Sequence, residues 1–250
     1  DFHAVPADVW RRTRLVYLCS PGNPTGATAP PALVTALLER ADRHGFVLAA
    51  DECYSELYAD EEAPPPGLLQ IAAAAGRSDL RRCIAFHSLS KRSNVPGMRS
   101  GFVAGDADLL HDFLRYRTYH GCAMPLYVQA ASIAAWNDEE HVRANRAAYR
   151  AKYDAVLEIL GDALPAQRPD GGFYLWPRVP GDDVEFARGL LGAENVCVLP
   201  GSFLGRAAHG ANPGAGRVRL ALVAPLAECA EAARRIRRHV ERLGPGAGAA

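Results

Sequence analysis

Charge of one sign and long apolar runs are both missing from this chain of 250 residues. Its 28 basic and 28 acidic residues cancel, so no strong field attracts nucleic acid or anionic lipid. No uncharged apolar run reaches the length of about 18 residues that suggests a membrane-spanning helix. We therefore expect a globular protein whose partners are small molecules, with no nucleic acid and no membrane among them.

Paired cysteines are also missing. The six cysteines are scattered singly, and neither they nor the eight histidines have the spacing of a zinc site. Isolated cysteines are typical of small buried residues in a reducing compartment. We expect no metal and a cytoplasmic location. The cysteines are Cys19, Cys53, Cys83, Cys122, Cys197 and Cys229.

Lysine is scarce, because only Lys91 and Lys152 are lysines among the 28 basic residues. Arginine provides almost every positive charge in this chain. A lysine therefore suggests a role that arginine cannot fill. Lys152 lies near Arg150 in a charged helical stretch, and we expect it to be solvated. Lys91 follows an apolar run and is the candidate for chemistry.

Short apolar runs alternate with helical periodicity in the first half of the chain, which predicts an α/β sheet. A crossover helix is predicted over 30–44, with Thr28 as a possible N-cap and Gly45 at its end. Residues 59–67, which include three consecutive prolines, are predicted to form a surface loop. Strands are predicted over 15–19, 46–50, 83–87 and 101–104.

The second half of the chain changes character. Helices are predicted over 107–120, 126–136, 139–160, 184–191 and 226–243, and strands over 195–199 and 217–223. We expect residues 1–145 to belong to a large domain, 146–243 to a smaller α+β domain, and 244–250 to a disordered tail.

Three of the apolar runs end in polar residues. Functional groups of an open α/β sheet gather just beyond the carboxyl ends of its strands. An amide, a carboxylate, a phenol, two hydroxyls and a lysine are therefore expected at one edge of the sheet. They come from the segments Ser20–Gly26, Asp51–Tyr54 and Ser88–Lys91.

These groups suit a phosphorylated aldehyde. Burial at a strand end favours the neutral amine of a lysine, which attacks carbonyl carbons, so Lys91 fits Schiff-base chemistry. Arg99 would clamp a phosphate together with Ser88 and Ser90. Pyridoxal 5'-phosphate (PLP) has both groups, and Asp51 would keep its pyridine nitrogen protonated.

The order of these motifs resembles that of the fold-type I aminotransferases of class I/II, over essentially the whole chain. This resemblance implies the PLP-dependent transferase fold, with 1–145 as the C-terminal part of the large PLP-binding domain. The motifs are Asn23-Pro24-Thr25-Gly26, Asp51-x-x-Tyr54, Ser88-x-Ser90-Lys91, Arg99 eight residues later, and Arg217-Val218-Arg219-Leu220.

The resemblance also implies a role for each residue. Lys91 would form the Schiff base and move the proton between the substrate Cα and the cofactor C4′. Asp51 would pair with the pyridine nitrogen, and Arg219, with Asn23, would bind the substrate carboxylate; Arg217 is the rival for that role. Asn23 and Tyr54 would hydrogen-bond the ring 3′-oxygen, and Ser88, Ser90 and Arg99 would hold the phosphate.

A narrower resemblance is to the bacterial succinyldiaminopimelate aminotransferases. It rests on the segments 116–124, 132–139 and 209–216. It implies transfer of an amino group from glutamate to N-succinyl-2-amino-6-oxopimelate, in lysine and diaminopimelate biosynthesis. Family members generally form homodimers, so a homodimer is expected for the full-length protein.

Alternatives remain open at this point. Another class I/II aminotransferase or a PLP β-lyase would share the motifs, and so would a non-catalytic domain that senses PLP or an amino acid for a regulator. Family members carry a substantial stretch before the Asn-Pro-x-Gly run, and that stretch is not in this sequence. We therefore expect an N-terminally incomplete chain. The alternative is that the chain is an inactive partial fold with exposed apolar surface.

Overall fold

The computed structural model describes residues 2–244. The chain divides into two compact units, one of Asp1–Gly22 with Ala27–Arg143 and one of Asn23–Gly26 with Ala144–Ala250. The domain boundary expected after residue 145 stays a prediction, and the expected disordered tail lies, apart from Gly244, outside the described residues. Within residues 2–244, no helix is both long enough and apolar enough to cross a membrane.

The first unit contains a four-stranded sheet in the order β1-β2-β3-β4. The first three strands are parallel and β4 is antiparallel at the edge, which confirms the predicted α/β class with a mainly parallel sheet. The strands are β1 (Leu15–Cys19), β2 (Val47–Asp51), β3 (Cys83–Ser88) and β4 (Gly101–Gly105). The helices are α1 (Ala7–Arg12), α2 (Pro31–His44), α3 (Leu68–Ala74), α4 (Leu89–Arg92), α5 (Ala107–His120) and α6 (Leu126–Trp136), followed by the start of α7 (Glu140–Leu160).

The crossover helix α2 shows how local sequence sets an element. Pro31 suits the first turn, because its φ is already helical and the missing N–H has no intrahelical partner there. Pro30, not Thr28, is the N-cap, since its backbone is extended and its carbonyl accepts from Leu33 N (2.9 Å). The helix ends at Gly45, whose φ of +76° is left-handed.

The core of the first unit lies between α2 and the sheet. Leu37 and Leu38 on the inner face of α2 are almost fully buried, as are Phe46 and Leu48 at the start of β2. Strands buried on both faces read as continuous apolar runs, which explains why β2 lacks an alternating pattern.

The second unit contains a three-stranded antiparallel sheet in the order β5-β7-β6. The strands are β5 (Tyr174–Leu175), β6 (Leu199–Pro200) and β7 (Val218–Ala221), and the helices are the rest of α7, α8 (Asp183–Glu194) and α9 (Leu226–Leu243). Cys229, Ala233, Ile236 and Val240 form the buried stripe of α9, at the spacing of an amphipathic helix.

Two expectations for the second unit are wrong in their bounds, namely the helix over 184–191 and the strand over 195–199. The strand predicted over 195–199 is reduced to Leu199–Pro200, because α8 continues to Glu194 and Asn195 ends it in the left-handed region (φ 53°). The buried carboxylate of Glu194 is held by Arg238 (3.0 Å) and by Arg242 of α9. This ion-pair network extends the helix beyond the residue where its apolar pattern stops.

Leu190 and Leu191 in the middle of α8 provide a matched test of this packing. Leu190 is fully buried, whereas Leu191 is 49% exposed. We expect Leu190→Ala to lower the free energy of unfolding by about 2–5 kcal/mol, because it removes core contacts and leaves a cavity. Leu191→Ala should change it by less than about 1 kcal/mol. Urea unfolding followed by far-UV circular dichroism measures both, and equal losses would contradict the assigned packing.

Candidate functional site

Asp51 is the last residue of β2, between two parallel neighbours. Register pairs it with Cys19 of β1 and with Phe86 of β3. Its Oδ1 accepts a hydrogen bond from the backbone N–H of Cys53 (3.1 Å), which fixes the carboxylate in the turn after the strand. Tyr54 follows in the same turn and is buried. Asp51 and the turn that carries Tyr54 therefore lie at the carboxyl edge of the sheet.

Ser88 and Ser90 lie close together at the end of the neighbouring strand. Ser88 Oγ lies 2.8 Å from Ser90 Oγ and accepts from the backbone N–H of Ser90 (3.0 Å). Ser88 is thus the N-cap of α4, which explains why helix begins directly after β3. The two hydroxyls form a pair of donors at the strand end.

Lys91 lies on α4, one turn beyond the end of β3, rather than at the strand end itself. The N-cap at Ser88 starts the helix earlier than the apolar pattern indicated. Lys91 is half-buried, and its charge favours the thiolate of Cys53. Because Cys53 also bonds Asp51, these three side chains belong to one electrostatic neighbourhood in the first unit.

Two members of this neighbourhood escaped the sequence analysis. Burial and the hydrogen bond to the Asp51 carboxylate raise the pKa of the Cys53 thiol to about 12. Burial and the Asp51 charge also raise the pKa of Tyr17, whose ring stacks on Phe86 at 6.4 Å. Tyr17 lies two residues before the end of β1, and Cys53 lies two residues after the end of β2. This closeness to strand ends was the signal available in the sequence.

Arg99 is exposed and stands in the left-handed region (φ 53°) at the end of a short 3₁₀ turn. Its guanidinium donates to the carbonyl of Pro96 (2.8 Å). That bond holds it within its own turn, so the described hydrogen bonds unite Ser88 with Ser90 but do not include Arg99.

Asn23 and Arg219 meet in the second unit. Arg219 Nη1 donates to Asn23 Oδ1 (2.8 Å), and the guanidinium lies 4.4 Å from the ring centroid of Tyr174. Arg219 Nε is buried and has no hydrogen-bond partner among the described residues. A buried donor without a partner is costly, so this guanidinium suits a ligand that brings its own acceptor.

The segment that carries Asn23 is held in this unit by a close backbone approach at Gly26. The carbonyl of Gly26 accepts from Gly171 N (2.9 Å), and Gly26 has a left-handed φ of +67°. A Cβ at this position would collide with the backbone of Gly171 and the ring of Pro169. Only glycine satisfies both constraints.

Arg217, the other candidate for binding the substrate carboxylate, already has a hydrogen-bond partner. It donates to the carbonyl of Trp176 (2.8 Å), and burial together with the charge of Arg178 lowers its pKa. Arg219, two residues on along β7, is the one that contacts Asn23.

Lys152 differs from the expectation of a solvated side chain. It is half-buried, and its ammonium donates to the carbonyl of Leu222 (3.2 Å) while lying 4.7 Å from the ring centroid of Tyr149. An amphipathic helix face explains this, because the long stem of lysine packs on apolar surface while its head finds an acceptor.

The sequence profile described as "Aminotransferase class I and II" matches residues 1–236. The chain belongs to this family. Its members use PLP. The carboxylate of Asp51, the hydroxyls of Ser88 and Ser90 and the amine of Lys91 match the chemistry of that cofactor: an acceptor for a pyridinium N–H, donors for a phosphate and a nucleophile for an aldehyde.

Individual relatives agree with this assignment. An LL-diaminopimelate aminotransferase of Nitratidesulfovibrio vulgaris is 33% identical over 240 residues, which is 94% of this chain and 59% of that protein. An aminotransferase crystal structure from Neisseria meningitidis has a TM-score of 0.89 at 51% identity, over 94% of this chain and 60% of that one. A probable N-succinyldiaminopimelate aminotransferase from Thermus thermophilus has a TM-score of 0.83 at 32% identity, over 96% and 62% of the two chains. This chain therefore spans about three fifths of the length of these relatives.

The raised pKa of Cys53 predicts that its thiol is alkylated slowly. At pH 8 a thiol with a pKa of about 12 is almost entirely protonated, and the thiolate is the form that reacts. We expect alkylation by iodoacetamide to be at least about 100-fold slower at Cys53 than at the exposed Cys197. Peptide mapping over time measures both rates in one sample. Asp51→Asn removes the charge that opposes the thiolate, so it should speed alkylation of Cys53 while leaving Cys197 unchanged; the reverse result would contradict the contact.

Proposed function

We propose that this chain is part of a PLP-dependent transaminase that moves an amino group from glutamate to a keto acid. The observation that carries the proposal is the grouping of Asp51, Ser88, Ser90 and Lys91 at the carboxyl edge of β2 and β3. Ligands of open α/β sheets bind at this edge. One of only two lysines in the chain lies there.

When bound, PLP supplies a protonated pyridine ring that withdraws electrons from the substrate Cα. Asp51 would accept the pyridine N–H, and the backbone N–H of Cys53 orients its carboxylate. Ser88 and Ser90 donate to the phosphate from the start of α4. Arg99 adds a positive charge to the same group if its guanidinium leaves the carbonyl of Pro96.

Lys91 has two roles in this proposal. Its amine would hold the cofactor through the aldehyde carbon. Once displaced by the amino group of the substrate, it would accept the proton from the substrate Cα and return it at the cofactor C4′. Tyr54 is buried in the turn after β2. The resemblance implies that Tyr54 and Asn23 would each hydrogen-bond the 3′-oxygen of the ring.

Arg219 binds the substrate carboxylate in this proposal. A guanidinium matches a carboxylate with two parallel hydrogen bonds, and Nε of Arg219 is a buried donor that has no partner among the described residues. Asn23 holds the guanidinium from one side, and Tyr174 supports its face.

We propose N-succinyl-2-amino-6-oxopimelate as the keto acid, in lysine and diaminopimelate biosynthesis. The support is the narrower sequence resemblance, together with relatives named for LL-diaminopimelate and for N-succinyldiaminopimelate. Diaminopimelate-type substrates carry several carboxylates, which suits a protein in which 26 of the 28 basic residues are arginines.

A cytoplasmic homodimer is the proposed state of the full-length protein. The six free cysteines suit a reducing compartment. The helices α5 and α6 carry large apolar side chains in water, including Tyr119 and Leu126 at 83% and 82% exposure. Exposed apolar surface of this kind is typical of an interface.

Reduction with borohydride in the presence of PLP tests the cofactor assignment. We expect phosphopyridoxyl on Lys91 and little on Lys152, because the ammonium of Lys152 is held by Leu222 and Tyr149. Peptide mapping by mass spectrometry locates the label. Lys91→Arg should abolish it, and Lys152→Arg should leave it unchanged. Labelling of the two lysines to equal extent would contradict the proposal.

Single-turnover kinetics test the reaction and the substrate. Glutamate alone should release one 2-oxoglutarate per site, and N-succinyl-2-amino-6-oxopimelate should then make turnover continuous. Arg219→Lys should raise the KM for glutamate by about 10- to 100-fold, because a point charge replaces a bidentate fork. The matched control is Arg206→Lys, since Arg206 is exposed in the same unit. Pyruvate release from a cysteine conjugate, without 2-oxoglutarate, would indicate a β-lyase instead.

A further inference from the structure

Lys91 lies on a helix that is too short to fix its own orientation. The helix α4 has four residues, and its backbone bond from Ser93 N to Leu89 O measures 3.0 Å. A single helical turn is unfavourable in isolation, because it orders several residues for about one hydrogen bond. The direction of the Lys91 side chain therefore depends on what holds its neighbours.

Arg92, the next residue, is held on three sides. Only 3% of it is exposed, and its Nη1 donates to the carbonyl of Ala135 (2.6 Å). Its Nη2 pairs with the Glu139 carboxylate, and its guanidinium lies 5.0 Å from the ring centroid of Trp136. All three partners belong to residues 135–141, where α6 ends and α7 begins, which we name the α6–α7 corner.

Ser93 is held by the same corner. Its Oγ lies 2.8 Å from His141 Nε2, and His141 Nδ1 lies 2.8 Å from Asp138 Oδ2. The side chains of both residues that follow Lys91 therefore contact the α6–α7 corner.

The opposite flank of α4 is tied to α6 as well. The carbonyl of Ser100 accepts from Leu89 N (3.1 Å), and the hydroxyl of Ser100 lies 2.7 Å from the buried hydroxyl of Ser132. Ser132 in turn donates to the carbonyl of Val128 within α6 (2.7 Å). The short helix is therefore bracketed by α6 and the α6–α7 corner.

We propose that Arg92 is a positioning residue for Lys91 and that the α6–α7 corner acts through it. This inference rests on the proposed function, because it assigns Lys91 to the cofactor. Arginine is required at this position, since one planar group reaches a carbonyl, a carboxylate and an indole at once, which an ammonium cannot do.

This inference also gives the segment 132–139 a role. The narrower sequence resemblance, which rests partly on this segment, associates it with a particular substrate. Its side chains instead contact the Lys91 helix: Ser132 through Ser100, and Trp136 and Glu139 through Arg92. The segment therefore supports the position of the lysine.

The test compares Arg92→Lys and Glu139→Gln with Arg12→Lys in the protein loaded with PLP. Arg12 is the matched control, because it forms a surface ion pair with Asp8 and is 76% exposed. Two readouts report on Lys91 without turnover: the rate at which borohydride fixes PLP on Lys91, and the visible circular dichroism per bound cofactor.

We expect Arg92→Lys to slow labelling of Lys91 by about 10- to 100-fold, the loss typical of a displaced reacting group, and to weaken the dichroism. Glu139→Gln should act in the same direction by a smaller factor, and Arg12→Lys should match the parent protein. Glu139→Gln keeps an oxygen acceptor for Arg92 at a half-exposed position, so this variant decides the matter even if Arg92→Lys fails to fold.

Labelling and dichroism that equal those of Arg12→Lys in both test variants would overturn the positioning role, whatever their thermal stability. If the parent protein itself does not label at Lys91, the proposed function fails and the positioning role fails with it. A loss confined to the variants separates the two cases.

Discussion

The parallel register of β1, β2 and β3 is the constraint on which the candidate site depends. It places Cys19, Asp51 and Phe86 side by side at the carboxyl edge of the sheet. A slip of one residue would exchange the two faces of a strand. In β2 that slip would put Glu52 at the position of Asp51, although Glu52 has a different role.

Glu52 and Asp51 are neighbours in the sequence, but their carboxylates have different roles. Glu52 is buried, accepts from Leu68 N at the start of α3 (2.6 Å) and lies 3.3 Å from His87 Nε2. It therefore holds structure together, while Asp51 remains at the edge with Cys53 and Lys91 around it. The register of a buried strand decides which acid is available for a ligand.

The sequence predicted most elements of the first unit, because its strands and long helices have strong periodicity and clear end signals. Helix α5 over 107–120 matches its prediction at both ends, with Asp106 as its N-cap. The strand predicted over 195–199 is reduced to two residues, because an ion pair with the distant helix α9 extends α8. Short elements such as α4 depend on a single cap and have no period to detect.

The same limits apply to the candidate site. Lys91 and Asp51 could be found because a lysine is rare here and strand ends are recognisable in a sequence. Arg92 could not, because it is one of many arginines and its partners lie more than forty residues away along the chain. Tertiary contacts of this kind leave no local pattern.

The pairing of Arg92 with Glu139 affects how well an exposed position tolerates substitution. Glu139 is 54% exposed, and exposed positions usually accept substitution with little effect on stability. Here the carboxylate balances a guanidinium that is 3% exposed, so its removal would leave a buried charge uncompensated. In a saturation mutagenesis library, this position would therefore tolerate fewer replacements than other positions that are equally exposed to water.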